Sequence, residues 1–115
     1  MDRRRHERRA RLLRSLPPLE EVLRGSIVER TVTCGSPGCH CASGPGHRVT
    51  AFSVTFPGGR TEQISLPPDL VPLARRWVGN SRRWTEAVEA ISAINRDLLR
   101  EEREASRKRR SSRRR

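Results

Sequence analysis

All three cysteines of this chain, Cys34, Cys39 and Cys41, fall in one short loop, and His47 follows close behind. Gly35, Pro37, Gly38, Gly44, Pro45 and Gly46 surround them, with Gly25 just upstream, so the connecting backbone is free to turn sharply. No other feature limits so strongly what the chain can become. Thiolate and imidazole suit tetrahedral zinc, and the spacing Cys-x4-Cys-x1-Cys-x5-His supplies four ligands: Cys34, Cys39, Cys41 and His47. His40 lies between two cysteines and would point away if both bound one ion. The expectation is a structural Zn2+ with a closed shell and no open position for a substrate water. Two plainer readings stay open, namely reduced cysteines in a loose turn, and a redox or intermolecular disulfide.

A staple matters because the core is thin. Of 115 residues only 33% are hydrophobic, and the aromatic side chains are Phe52, Phe56, Trp77 and Trp84. That is one domain whose packing needs a metal or a partner to supplement it. No apolar run is long enough to span a membrane, and the charged N-terminus lacks the apolar stretch of a signal peptide. Three cysteines cannot all pair internally and are better used as thiolates in a reducing compartment. The expected location is the cytoplasm, with association to the nucleoid as a refinement.

The net charge of +12 is unevenly placed. Residues 1–14 hold seven arginines against Asp2 and Glu7, and residues 103–115 hold seven arginines and a lysine against Glu104. Residues 15–102 are neutral. Two basic arms flanking a neutral domain favour a polyanion, because each neutralised phosphate releases counterions. Arg3, Arg4, Arg5, Arg8 and Arg9 in the first arm are candidate phosphate contacts. Arg107, Lys108, Arg109, Arg110, Arg113, Arg114 and Arg115 are their counterparts in the second. Arg75-Arg76 and Arg82-Arg83 recur seven apart and make an ordered basic stripe, with a solvated helix face as the plainer reading. An anionic protein, an acidic membrane surface and genome-wide arginine accumulation are the alternatives to nucleic acid.

The local patterns give an α+β fold. Residues 3–14 read as a basic helix that frays through like-charge repulsion, with Leu12, Leu13 and Leu16 as its apolar patch and Pro17-Pro18 as its stop. Residues 26–33 and 49–56 read as strands, the second with Phe52, Val54 and Phe56 on one face. Pro57-Gly58-Gly59 turns the chain into a third strand ending at Leu66. Beyond Pro67-Pro68, Leu70, Trp77, Trp84, Ile91 and Leu98 recur every seven residues, with Val88 among those filling the seam. These residues are the expected core or interface of a long helix, either continuous or broken near Gly79. Asn80 and Asn95 lie beside the seam, where they fix register in a two-chain coiled coil or simply face solvent. The expected divisions are a basic arm at 1–18, a zinc-loop sheet with its helix at 19–102, and a disordered basic tail at 103–115.

The pieces Gly25-Ser26-Ile27, Cys34-Gly35-Ser36-Pro37-Gly38-Cys39-His40-Cys41, Gly46-His47, Gly58-Gly59 and Asn95-Arg96-Asp97-Leu98-Leu99 together resemble a widespread family of small uncharacterised bacterial proteins. Its members carry a Cys-Gly-x-x-x-Cys-x-Cys loop ending in histidine, a short β-hairpin and a C-terminal helix. The resemblance covers about residues 22–100. Where the family usually continues from its histidine into Gly-Pro-Tyr, this chain has Arg48-Val49-Thr50. The resemblance implies the fold and the metal loop, and members keep company with mobile-element or recombination genes, which accords with DNA binding.

No paired carboxylates, oriented nucleophile or phosphate-cradling loop stands out, so an enzyme is not expected. The chain reads as a zinc-stabilised accessory protein that binds nucleic acid, DNA before RNA, through its arginine arms. The alternative is a protein-interaction or assembly module, working as a homodimer or with a partner protein through the 70–98 helix, in which nucleic-acid contact is incidental.

Overall fold

The computed structural model describes residues 3–33, 35, 38, 44 and 46–114. Helix α1 spans Arg3–Arg14, strands β1, β2 and β3 span Ser26–Val32, His47–Thr55 and Thr61–Leu66, and helix α2 spans Val71–Arg113. Single 3-10 turns at Leu19–Glu21 and Pro68–Leu70 precede β1 and α2. The chain forms two compact units, one of Met1–Pro17 with Arg83–Arg115, the other of Pro18–Arg82.

In the second unit the three strands form an antiparallel sheet in the order β1-β2-β3. Ile27 faces Phe52 across the first ladder and Phe52 faces Ile64 across the second. The side-chain period of two places this row on one face of the sheet. Phe52 is buried there, and Leu73, Ala74 and Trp77 from the start of α2 border the same cleft as Phe52, Ile64 and Leu66. Ala74 and Val78 are buried, one turn apart on one side of α2.

The β2–β3 connection follows from its residues. Pro57 has the fixed φ that suits the second position of a type II turn, and Gly58, at φ 94°, supplies the positive φ the third requires. The Gly59 amide donates to the Phe56 carbonyl at 3.0 Å, and the Phe56 amide donates to the Arg60 carbonyl at 2.7 Å. The guanidinium groups of Arg60 and Arg24 lie 4.7 and 5.7 Å from the Phe56 ring centre, so two cations hold the one aromatic at the turn.

The segment before β1 is strapped to α2. The Leu23 amide donates to the Trp77 carbonyl at 3.1 Å, and Asn80 Nδ2 donates to the Glu21 carbonyl at 2.9 Å. Asn80 therefore satisfies a backbone acceptor within its own chain, where the sequence suggested a register-setting or solvent-facing residue.

Several expectations need correcting. The fold is α+β with a three-stranded antiparallel sheet and a long C-terminal helix, and the described residues give no evidence of a metal-stapled loop. Among the described residues no group of three or more His, Cys, Asp or Glu side chains converges to hold a metal ion. Of the four expected ligands, Cys34, Cys39 and Cys41 lie outside the described residues, and His47 opens β2 opposite Val32. The Zn2+ expectation and the zinc-based function fall with that finding. Hydrogen-bonded ladders and the packing of α2 on the Phe52 face account for the sheet instead. Helix α2 runs unbroken through Gly79, and residues 103–113, expected as a disordered tail, carry its last turns.

Gly25 is the tightest backbone position in this unit. Its φ is 150°, and a Cβ there would lie 2.4 Å from Phe52 Cε1 and 2.6 Å from the Ser53 carbonyl oxygen. Gly25→Ala is expected to lower unfolding stability by about 2 kcal/mol through forced overpacking. Chemical denaturation monitored by tryptophan fluorescence measures it, and an unchanged midpoint would contradict the close approach.

Candidate protein-interaction surface

An isolated helix with the sequence of α1 should repel itself, since Arg3, Arg4, Arg5, Arg8, Arg9, Arg11 and Arg14 meet only one acid, Glu7, within its span. Within the first unit α2 supplies the missing counter-groups. Arg5 pairs with Asp97 at 3.7 Å and also with Glu101. Arg9 Nη1 donates to Asn95 Oδ1 at 2.7 Å and its other terminal nitrogen meets His6 Nδ1 at 3.0 Å. Further along, Arg83 donates to the Ser15 carbonyl, and Trp84 Nε1 donates to the Pro17 carbonyl at 2.9 Å. Residue numbers rise along α1 as they fall along α2, so the two helices form an antiparallel pair. Ala87 and Ile94 are buried in this unit, and Leu12 and Leu16 are half-buried.

This arrangement changes the meaning of the arginines. Arg3 pairs with Glu7 at 3.0 Å, while Arg4 and Arg8 are exposed. Arg75 reaches Glu29 at 3.0 Å and Arg76 reaches Glu21 at 3.7 Å, so these two members of the expected stripe are tied to acids of their own chain. Arg83 is tied to Ser15, and Arg82 is exposed. In the last turns Arg107 pairs with Glu104 at 3.9 Å, and Lys108, Arg109, Arg110, Arg113 and Arg114 are exposed. Arg115 lies outside the described residues. Of the expected N-terminal phosphate contacts, Arg5 and Arg9 thus meet side chains of α2.

The seam residues divide as well. Trp77, Trp84, Ile91 and Leu98 are half-buried, while Leu70 and Val88 are exposed at 43% and 55%. In the first unit α1 covers part of the apolar side of α2. Beyond that cover, Leu13, Val88 and Leu99 remain 55%, 55% and 70% exposed. Leu99 was not singled out in the sequence because it falls off the seven-residue seam. Its signal was the spacing from Val88, three helical turns along one stripe.

The second unit holds an apolar cleft of about 230 Å³, lined by Leu23, Phe52, Ile64, Leu66, Leu73 and Trp77 among others. Trp77 Nε1 is buried with no hydrogen-bond partner among the described residues. The two tryptophans, equivalent by period, thus differ in what their indole nitrogens do.

Comparison with known proteins assigns the chain to a family. A family model described as a domain of unknown function (DUF6788) matches residues 2–76. The chain belongs to that family. The match begins in α1's neighbourhood and stops in the second turn of α2, so it corrects the resemblance drawn over 22–100, whose mark was a metal loop that the described residues do not support. Most of α2, including Val88 and Leu99, lies beyond the matched residues. No curated protein and no solved structure matches the chain. Among the described residues no helix is long and apolar enough to cross a membrane.

Trp84→Phe removes a made hydrogen bond and leaves the Pro17 carbonyl without its donor, whereas Trp77→Phe removes a donor that has no partner. The first substitution is expected to cost about 1 kcal/mol more than the second. Equal losses in paired denaturation curves would contradict these different roles.

Proposed function

We propose that this protein is a protein-interaction or assembly module that works in the cytoplasm as a docking surface and not as a catalyst. The observation that carries the reading is the set of large apolar side chains, Leu13, Val88 and Leu99, left exposed on the helix pair. Scattered exposed apolar residues are ordinary, but three on one helical pair mark a surface that a partner can cover. The long α2, of 43 residues, supports the same reading. The fully helical 103–113 segment, with its arginines, offers charge at one end of that surface.

A tagged full-length chain, treated with nuclease and washed at high salt, is expected to retain a protein partner in fixed stoichiometry, measured by cross-linking and light scattering. Loss of all bound material after nuclease treatment, with the purified chain monomeric, would contradict the proposal.

A further inference from the structure

We propose that the open face of the α1–α2 pair docks an acidic amphipathic helix of a partner protein, an inference that rests on the interaction-module reading. Val88 and Leu99 stand three turns apart on one stripe of α2, with Asn95 between them. The bond from Arg9 to Asn95 brings the Arg9 side of α1 beside that stripe, and His6 meets Arg9 one turn earlier. Leu13, two turns after His6, shares that side. Leu13, Val88 and Leu99 therefore belong to one side of the pair.

Charge identifies the occupant. Arg96 and Arg103 flank Leu99 by three residues before and four after, and Arg110 follows seven later, giving an exposed basic row beside the apolar one. No ion pair holds any of the three among the described residues, whereas neighbouring Arg100 pairs with Asp97 at 2.9 Å and Arg107 with Glu104 at 3.9 Å. A helix with leucines in one stripe and glutamates beside it covers the apolar row and answers the free cations together. A second copy fits poorly: residues 1–17 and 83–115 carry eighteen basic against eight acidic side chains, so like charge would face like charge. Nucleic acid would answer the arginines and leave the leucines and valine uncovered.

The test uses the full chain and a fluorescent synthetic helical peptide of about 21 residues, with leucine at heptad positions a and d and glutamate at e and g. Two further probes are the same peptide with serine replacing leucine and a duplex DNA of similar length. The leucine–glutamate peptide is expected to bind saturably, one to one, and about tenfold more tightly than the serine version. V88D/L99D and, separately, R103E/R110E are each expected to weaken it about tenfold or more while circular dichroism remains unchanged. Absent saturable binding, equal binding of the leucine and serine peptides, or indifference to both variant pairs would overturn the proposal. So would duplex DNA displacing the peptide with an affinity that V88D/L99D does not alter, since the face would then be a phosphate grip. If nuclease-resistant partner capture persists in V88D/L99D, this face is not the docking site, although the module reading survives. If wild type captures none, the module reading itself fails.

Discussion

The structure of the first unit depends on α2 lending acid to α1. Seven arginines in one short helix cannot be held together by the helix itself, and only Glu7 relieves them locally. Glu101 and Asn95 on α2 accept from Arg5 and Arg9, Asp97 pairs with Arg5, and so the helix that should fray becomes one side of an antiparallel pair. Each of these contacts is partly exposed and is worth about 0.5 kcal/mol or less. Their effect is geometric more than energetic. They choose which flank of α1 faces α2, while the burial of Ala87 and Ile94 and the Trp84–Pro17 bond hold the pair.

That choice bears directly on function. Arg5 and Arg9 meet groups of α2, so the two basic ends of the chain differ in their surroundings. The N-terminal segment becomes part of the scaffold, whereas Arg96, Arg103 and Arg110 keep their charge facing outward along α2. Because α1 covers only part of the apolar side of α2, Val88 and Leu99 stay open beside those cations. An apolar row with a basic border has the chemistry of a protein-docking surface.

Much of the second unit was legible in the sequence, because its signals are local. The β-branched and aromatic run around Phe52 alternates cleanly, and Pro57-Gly58 can form only a few turns; the recurrence from Leu70 to Leu98, which runs on into the first unit, kept one helical register through Gly79. What escaped the sequence depends on partners far along the chain. The Arg5–Glu101 pair spans most of its length, and Asn80 and Trp84 bond to backbone carbonyls of Glu21 and Pro17, which carry no side-chain signal. Of the buried helix positions, Ala74, Ala87 and Ile94 were legible as fillers of the seven-residue seam, and Val78 was not. The cysteine loop drew attention because its residues have strong ligand chemistry, but composition alone does not bring ligands together. Three of those four residues lie outside the described structure, and the fourth is a strand residue in the β1–β2 ladder.

Backbone amide hydrogen exchange on the full chain, without any partner, tests the docking of α1 most directly. If α2 holds α1 as described, the amides of residues 7–14 are protected to an extent comparable with those of residues 87–94, and Asp97→Arg lowers protection in α1. Exchange of α1 at the rate of an unstructured peptide, unaffected by that substitution, would mean the N-terminal arginines are a free arm.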